Sequence, residues 1–245
     1  MSSAVKKTSP SLGGLKRDLA QAANPERARV SASFFKTRKG EYGEGDKFIG
    51  VSVPKQRALV TKYRHLGWSD IKRLLRSRIH EHRLMGVLIL VAQYKAGDAA
   101  TKQAVFDFYL THTDAINNWD LVDASAPYIV GEHLVARPRR VLYRLASSQN
   151  LWERRIAMVA TSAFIRRGDL KDTFAIAAQL LGDKHDLIHK ATGWMLREAG
   201  KQSGAMLMDF LTDNHARMPR TALRYAIERL PQAERKRILK GTFDH

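Results

Sequence analysis

The chain has 245 residues, 44% of them hydrophobic, enough to bury a core in one large domain or two small ones. Its 42 lysines and arginines against 24 acids give a net charge of +18. Such an excess points to a polyanion, and to nucleic acid before membrane because the cations are scattered along many segments. The absence of cysteine excludes disulfides, thiol nucleophiles and thiolate metal sites, and a reducing cytoplasm is the expected compartment, with nucleoid association when DNA is bound.

Residues 1–14 are rich in Ser, Lys and Gly without an apolar run, and read as a flexible basic tail with neither signal peptide nor anchor. Leu12, Leu15, Leu19 and Ala23 recur at helical spacing, and Pro25 opens a second helix to about Phe35. Residues 36–53 have no lasting periodicity. Their glycines, Gly40, Gly43, Gly45 and Gly50, lack the GxxxxGK[ST] spacing of a phosphate cradle, so the stretch is a connector or a binding loop. From Pro54 the pattern predicts helices over about 54–65, 69–77, 80–96, 98–111, 115–134, 138–148, 150–167, 169–181, 184–200, 203–214, 219–230 and 232–240. The longest apolar run, Met85 to Ala92, is far below the roughly 20 residues that span a bilayer. None of the nine histidines forms an HExxH pattern, so no metal site is expected, and no cofactor.

Short links between helices imply pairs, and landmarks recur: Arg83, Trp119, Arg155 and Trp194 are 36, 36 and 39 residues apart, each on the second helix of a pair. That period predicts an all-α, HEAT-like helical-repeat solenoid over residues 15–245, a single repeat domain with the landmark helices lining a concave basic groove.

Trp119 and Asp123 share one helix face at i and i+4. In the structural reading Trp119 anchors the core, Asn117 caps the helix and Asp120 answers it as in a capping box. Asp123 sits among Leu121, Val122 and the apolar run from Ala124 to Val130, where an unpaired carboxylate is costly. Further on, Arg155 lies against the apolar stripe of Trp152, Ile156, Val159 and Ala163. Lys190, Trp194 and Arg197 form a ring between two cations, suited to stacking on a sugar or base while gripping phosphates. The alternative is that Trp194 seals one repeat against the next while the cations snorkel over it. Arg217, Arg220 and Arg224, then Arg235, Lys236, Arg237 and Lys240, add collective phosphate affinity.

Four stretches together resemble the AlkD-like DNA alkylation repair enzymes, HEAT-like-repeat alkylpurine DNA glycosylases. They are Lys47-Phe48-Ile49-Gly50-Val51, Trp119-Asp120-Leu121-Val122-Asp123, Leu151-Trp152-Glu153-Arg154-Arg155 and the segment from Lys190 to Glu198 reading KxxGWxLRE. The likeness runs from about Leu15 to Leu230. It implies Asp123 as the catalytic carboxylate, Trp119 and Trp194 as aromatics on the deoxyribose, and Arg155 as a phosphate-gripping arginine. Phe34 stands where the family has a tyrosine that can contact the DNA backbone, and Asn118 where it often has a second aromatic. Arg154, Lys190, Arg197 and Arg224 complete the expected DNA-binding set. The function implied is hydrolysis of the N-glycosidic bond of cationic N3- or N7-alkylated purines in duplex DNA, by a monomer without an obligate protein partner. The rivals are a non-catalytic repeat protein that binds damaged or branched nucleic acid, and a protein-interaction scaffold, which the charge disfavours.

Overall fold

A computed structural model describes residues 10–243. Its helices are α1 (Leu12–Gln21), α2 (Pro25–Phe34), α3 (Val53–Tyr63), α4 (Trp68–Leu75), α5 (His80–Ala96), α6 (Ala99–Leu110), α7 (Trp119–Ser125), α8 (Glu132–Leu134), α9 (Arg140–Ala146), α10 (Leu151–Ala160), α11 (Ser162–Ile165), α12 (Lys171–Leu180), α13 (Asp186–Gln202), α14 (Gly204–Asn214), α15 (Arg220–Ala226) and α16 (Gln232–Leu239). Among the described residues there is no strand, only an isolated bridge from Lys47 to Ile79. The fold is all-α, as the periodicity predicts, and no described helix is long and apolar enough to cross a membrane. The chain divides into two compact units, one ending at Val105 and the other beginning at Phe106.

In the first unit α1 begins at Leu12, inside the stretch read as a tail; residues 1–9 of that stretch lie outside the described residues. Ser11 caps it by accepting from the Gly14 N–H, and Leu12, Leu15 and Leu19 bury the predicted face. Asp18 then ties α1 to α3, accepting from Lys62 Nζ and the Tyr63 hydroxyl, each at 2.7 Å. The irregular stretch before α3 is fastened to the start of α5. The Lys47 N–H donates to the Arg78 carbonyl and the Lys47 carbonyl accepts from the His80 N–H, and the buried Glu81 carboxylate accepts from the Ile49 and Gly50 N–H groups. Gly50 has φ +79°, and a Cβ there would stand 2.0 Å from the Asn24 carbonyl oxygen. This part of the KFIGV motif is therefore held by packing that admits only glycine.

In the second unit α7, α10, α13 and α15 pack in succession as one layer, while α9 and α12 pack against α10 and α13 from the other. Between α9 and α12, Asp172 accepts from the Tyr143 hydroxyl at 2.5 Å and from Arg139 Nη1 at 2.6 Å, with the Arg139 guanidinium 3.8 Å over the Phe164 ring. The helix expected over 115–134 is broken in two ways. A tight turn at Thr113–Ala115 precedes it, and a π-turn at Pro127–Gly131 interrupts it, where the Gly131 N–H reaches the Ala126 carbonyl five residues back. Pro127 has no N–H to continue the regular ladder. The helix expected over 150–167 likewise yields at Thr161, whose hydroxyl turns back to the Met158 carbonyl at 2.7 Å.

Candidate nucleic-acid interface and carboxylate

Helix α7 starts at Trp119, so the capping residue is Asn118 and not the expected Asn117. The fully buried Asn118 side chain accepts from the Trp119 N–H at 2.8 Å. Asp120 then falls second in the helix, one place short of the third position that a capping box uses. The turn ahead of α7 is braced from α10, for the Thr113 hydroxyl donates to Glu153 at 2.7 Å. These contacts present Trp119 at the helix start, half-buried, with Asp123 one turn on along the same face.

Asp123 and Arg155 meet directly. Arg155 Nε donates to Oδ1 at 2.9 Å and Nη2 to Oδ2 at 2.8 Å, a fork gripping both carboxylate oxygens, while Nη1 donates to the Leu187 carbonyl oxygen at 2.6 Å. One guanidinium thus links α7, α10 and α13. Its side chain is 6% exposed, that of Asp123 20%. Burial pushes the Asp123 carboxyl above its ordinary value, the guanidinium pulls it down, and the nearby Asp120 charge adds to the rise; the net direction is upward. Below it the Tyr109 hydroxyl is paired with Ser125 at 2.8 Å, and burial drives that phenol upward, so Tyr109 stays neutral.

Trp194 is half-buried, two turns along α13 from Leu187. The residue before it explains part of the KxxGWxLRE motif. A Cβ on Gly193 would lie 2.4 Å from the Ala222 carbonyl oxygen and 2.5 Å from Tyr225 Cβ, because α13 and α15 touch there. The two cations flanking Trp194 have acid partners: Lys190 pairs with Asp186 at 2.7 Å, and Arg197 with Glu198 and Glu228. The stripe is thus less positive than its sequence suggests. Arg154 is engaged structurally, with Nε on Asp183 and Nη1 on the Ser148 and Gln149 carbonyls, joining α10 to the turn before α13. Arg224 is exposed and forms no ion pair among the described residues. Phe34 belongs to the first unit, where it is 64% exposed and meets Phe35 edge-on. The Leu187 carbonyl escapes sequence reasoning because a backbone acceptor leaves no residue signature.

A family model described as DNA alkylation repair enzyme matches residues 15–230. A solved structure titled "Predicted DNA alkylation repair enzyme from Enterococcus faecalis" superposes with a TM-score of 0.64 at 16% identity, covering 86% of this chain and 97% of that one. At that identity the likeness is one of fold. No curated protein matches this chain.

Proposed function

This chain belongs to the family of DNA alkylation repair enzymes, and we propose that it hydrolyses the N-glycosidic bond of cationic N3- and N7-alkylated purines in duplex DNA. The observation that carries this reading is a carboxylate, Asp123, on a layer of helices that also bears two half-buried indoles, Trp119 and Trp194. Alkylation at N3 or N7 already makes the purine a cation, so it leaves without a general acid. As the C1′–N9 bond breaks, its electron pair goes to the base and neutralises it, and positive charge develops on the sugar. A carboxylate stabilises that oxocarbenium-like sugar electrostatically and orients the water whose oxygen bonds C1′. The water's proton is released, leaving a free purine and an abasic site. The indole faces favour the cationic sugar and base, while unpaired cations such as Arg224 hold phosphates. Phe34 is assigned to the DNA backbone on the resemblance and its exposure.

The test is to incubate the protein with methylated duplex DNA and look for free methylpurine. Asp123→Asn should cut the release of 7-methylguanine by roughly 10²–10³-fold, the range for losing one electrostatic transition-state contact, with DNA affinity kept within a few-fold. Wild-type-like release in that variant would remove Asp123 from the mechanism.

A second reading, a non-catalytic protein that binds damaged or branched nucleic acid, is favoured by one observation: Asp123 is gripped by Arg155 as a structural clamp would be. Binding without any methylpurine release by the wild type would select it.

A further inference from the structure

A guanidinium offers five N–H donors, and in Arg155 three of its nitrogens are already engaged by two groups of this chain: both oxygens of Asp123 and the Leu187 carbonyl. A phosphate-gripping arginine needs its paired edge open to solvent, whereas here the Nε–Nη2 edge is spent on Asp123 and the side chain is buried. We propose that Arg155 is a positioning residue for Asp123, holding the carboxylate ionised and at one orientation, and is not a phosphate anchor. The link to catalysis rests on the glycosylase reading; the pairing itself does not.

The chemistry follows from what surrounds the carboxylate. Facing it are Asp120 on its own helix, the neutral Tyr109 hydroxyl on α6 and Arg155 on α10. Burial and Asp120 both favour the protonated acid, and Arg155 is the one group of these that favours the anion. A protonated Asp123 could neither stabilise a cationic sugar nor orient water through a negative charge. The Leu187 carbonyl contributes at one remove: by holding Nη1 it fixes the plane of the guanidinium, so the fork cannot swing and the carboxylate cannot rotate about its own Cβ–Cγ bond. This is the role that outer hydrogen-bond partners play for metal-ligating side chains, where removing them typically costs about 10–100-fold, and a carboxylate aimed at a reacting sugar needs the same support. It also accounts for an arginine on the apolar face of α10 between Trp152 and Val159, a place a solvated phosphate ligand would not occupy.

The experiment uses the full chain and three variants. Arg155→Lys keeps the charge and loses the fork, Arg155→Met removes both, and Asp123→Asn identifies the carboxyl resonance; thermal unfolding confirms that each is folded. Binding to an unmodified duplex is measured against salt by fluorescence anisotropy, single-turnover excision of 7-methylguanine against pH, and the Asp123 carboxyl is titrated by carbon-13 NMR. We expect Arg155→Lys to slow excision by about 10–100-fold with duplex affinity within about twofold and an unchanged salt slope. The acid limb of the rate profile and the Asp123 titration should both move to higher pH in Arg155→Met or, if that variant does not fold, in Arg155→Lys. A salt slope reduced by about one, with excision at saturating protein and the Asp123 titration unchanged, would overturn the proposal and return Arg155 to the phosphate backbone. If the wild type excises nothing, the glycosylase reading fails on its own. The NMR titration then still decides whether Arg155 sets the state of Asp123.

Discussion

Each compact unit contains one aspartate gripped by a landmark arginine, and the two pairs behave oppositely. In the first unit Asp46 accepts from Arg83 Nη2 at 2.5 Å and from His80 Nδ1 at 3.2 Å; its side chain is 10% exposed. In the second, Asp123 has Arg155 as its ionic partner, with Asp120 nearby, and is twice as open. Burial is the largest influence on both. At Asp46 the combined hydrogen bonds and charges of His80 and Arg83 outweigh it and hold the carboxyl below its ordinary value, whereas at Asp123 burial wins and the carboxyl is raised. Two Asp–Arg pairs are thus distinguished by how completely the charge is compensated, with His80 adding to Arg83 in the first and Asp120 opposing Arg155 in the second. Asp46 is a staple for the loop before α3; Asp123 is under-compensated, as a reacting group is expected to be.

The comparison breaks most sharply if the arginines are removed in turn. Arg83→Ala strands Asp46 beneath His80 and should destabilise the first unit by about 3–5 kcal/mol in urea unfolding, while excision per folded molecule stays at the wild-type rate. Loss of excision without loss of stability in that variant would mean that the first pair is functional too.

Acid should sharpen the contrast next. His82, buried beside Arg83, has its pKa lowered to about 4 by burial and the charge of Lys16. Its folded-state pKa lies below the unfolded value near 6.5, so the unfolded chain binds the proton first. The contribution is intact above about pH 6.5 and is lost as pH falls toward 4, amounting to about 3 kcal/mol at most. Asp46, also lowered, adds loss of stability in the same direction below its ordinary pKa of 3.8. Asp123, being raised, works with the opposite sign just above that value. Unfolding of the wild type and of His82→Gln between pH 4 and 7 should show the variant with the flatter profile; equal slopes would put the titration elsewhere.

The two smallest effects are expected at Arg224 and Arg197. Replacement of Arg224 by Ala should lower the salt slope of duplex binding by about one and leave excision at saturating protein unchanged. Arg197→Ala should do less, because Glu228 and Glu198 already occupy that cation. A larger effect from Arg197 would mean that DNA displaces those acids.

How much of this was legible beforehand depends on range. The helix expected over 80–96 runs over His80–Ala96, because a 17-residue stretch without Pro that ends at Gly97 is too long for a strand. The one expected over 184–200 runs over Asp186–Gln202, displaced by two residues at each end. The π-turn at Pro127 was hidden, since one extra residue in a turn shifts the period too little to show within a single helix. The cap slipped from Asn117 to Asn118 because both are good capping residues and the sequence carries no further signal between them. At the site, sequence could show an acid and an arginine in apolar settings 32 residues apart, and their burial argued for a partner. It could not pair them, nor show that Glu228, 31 residues past Arg197, neutralises the cation beside Trp194.

Gly193 has a consequence for how finely Trp194 is aimed. With the backbone of α13 facing the Ala222 carbonyl and the Tyr225 Cβ through a position that has no side chain, the approach of these two helices there is limited by atoms that no change of rotamer can move. Side chains can change rotamer and absorb a shift; peptide groups in van der Waals contact cannot. The indole one residue later therefore projects from a hard stop, and substitutions elsewhere in α15 should leave its aim unaltered as long as that stop is kept.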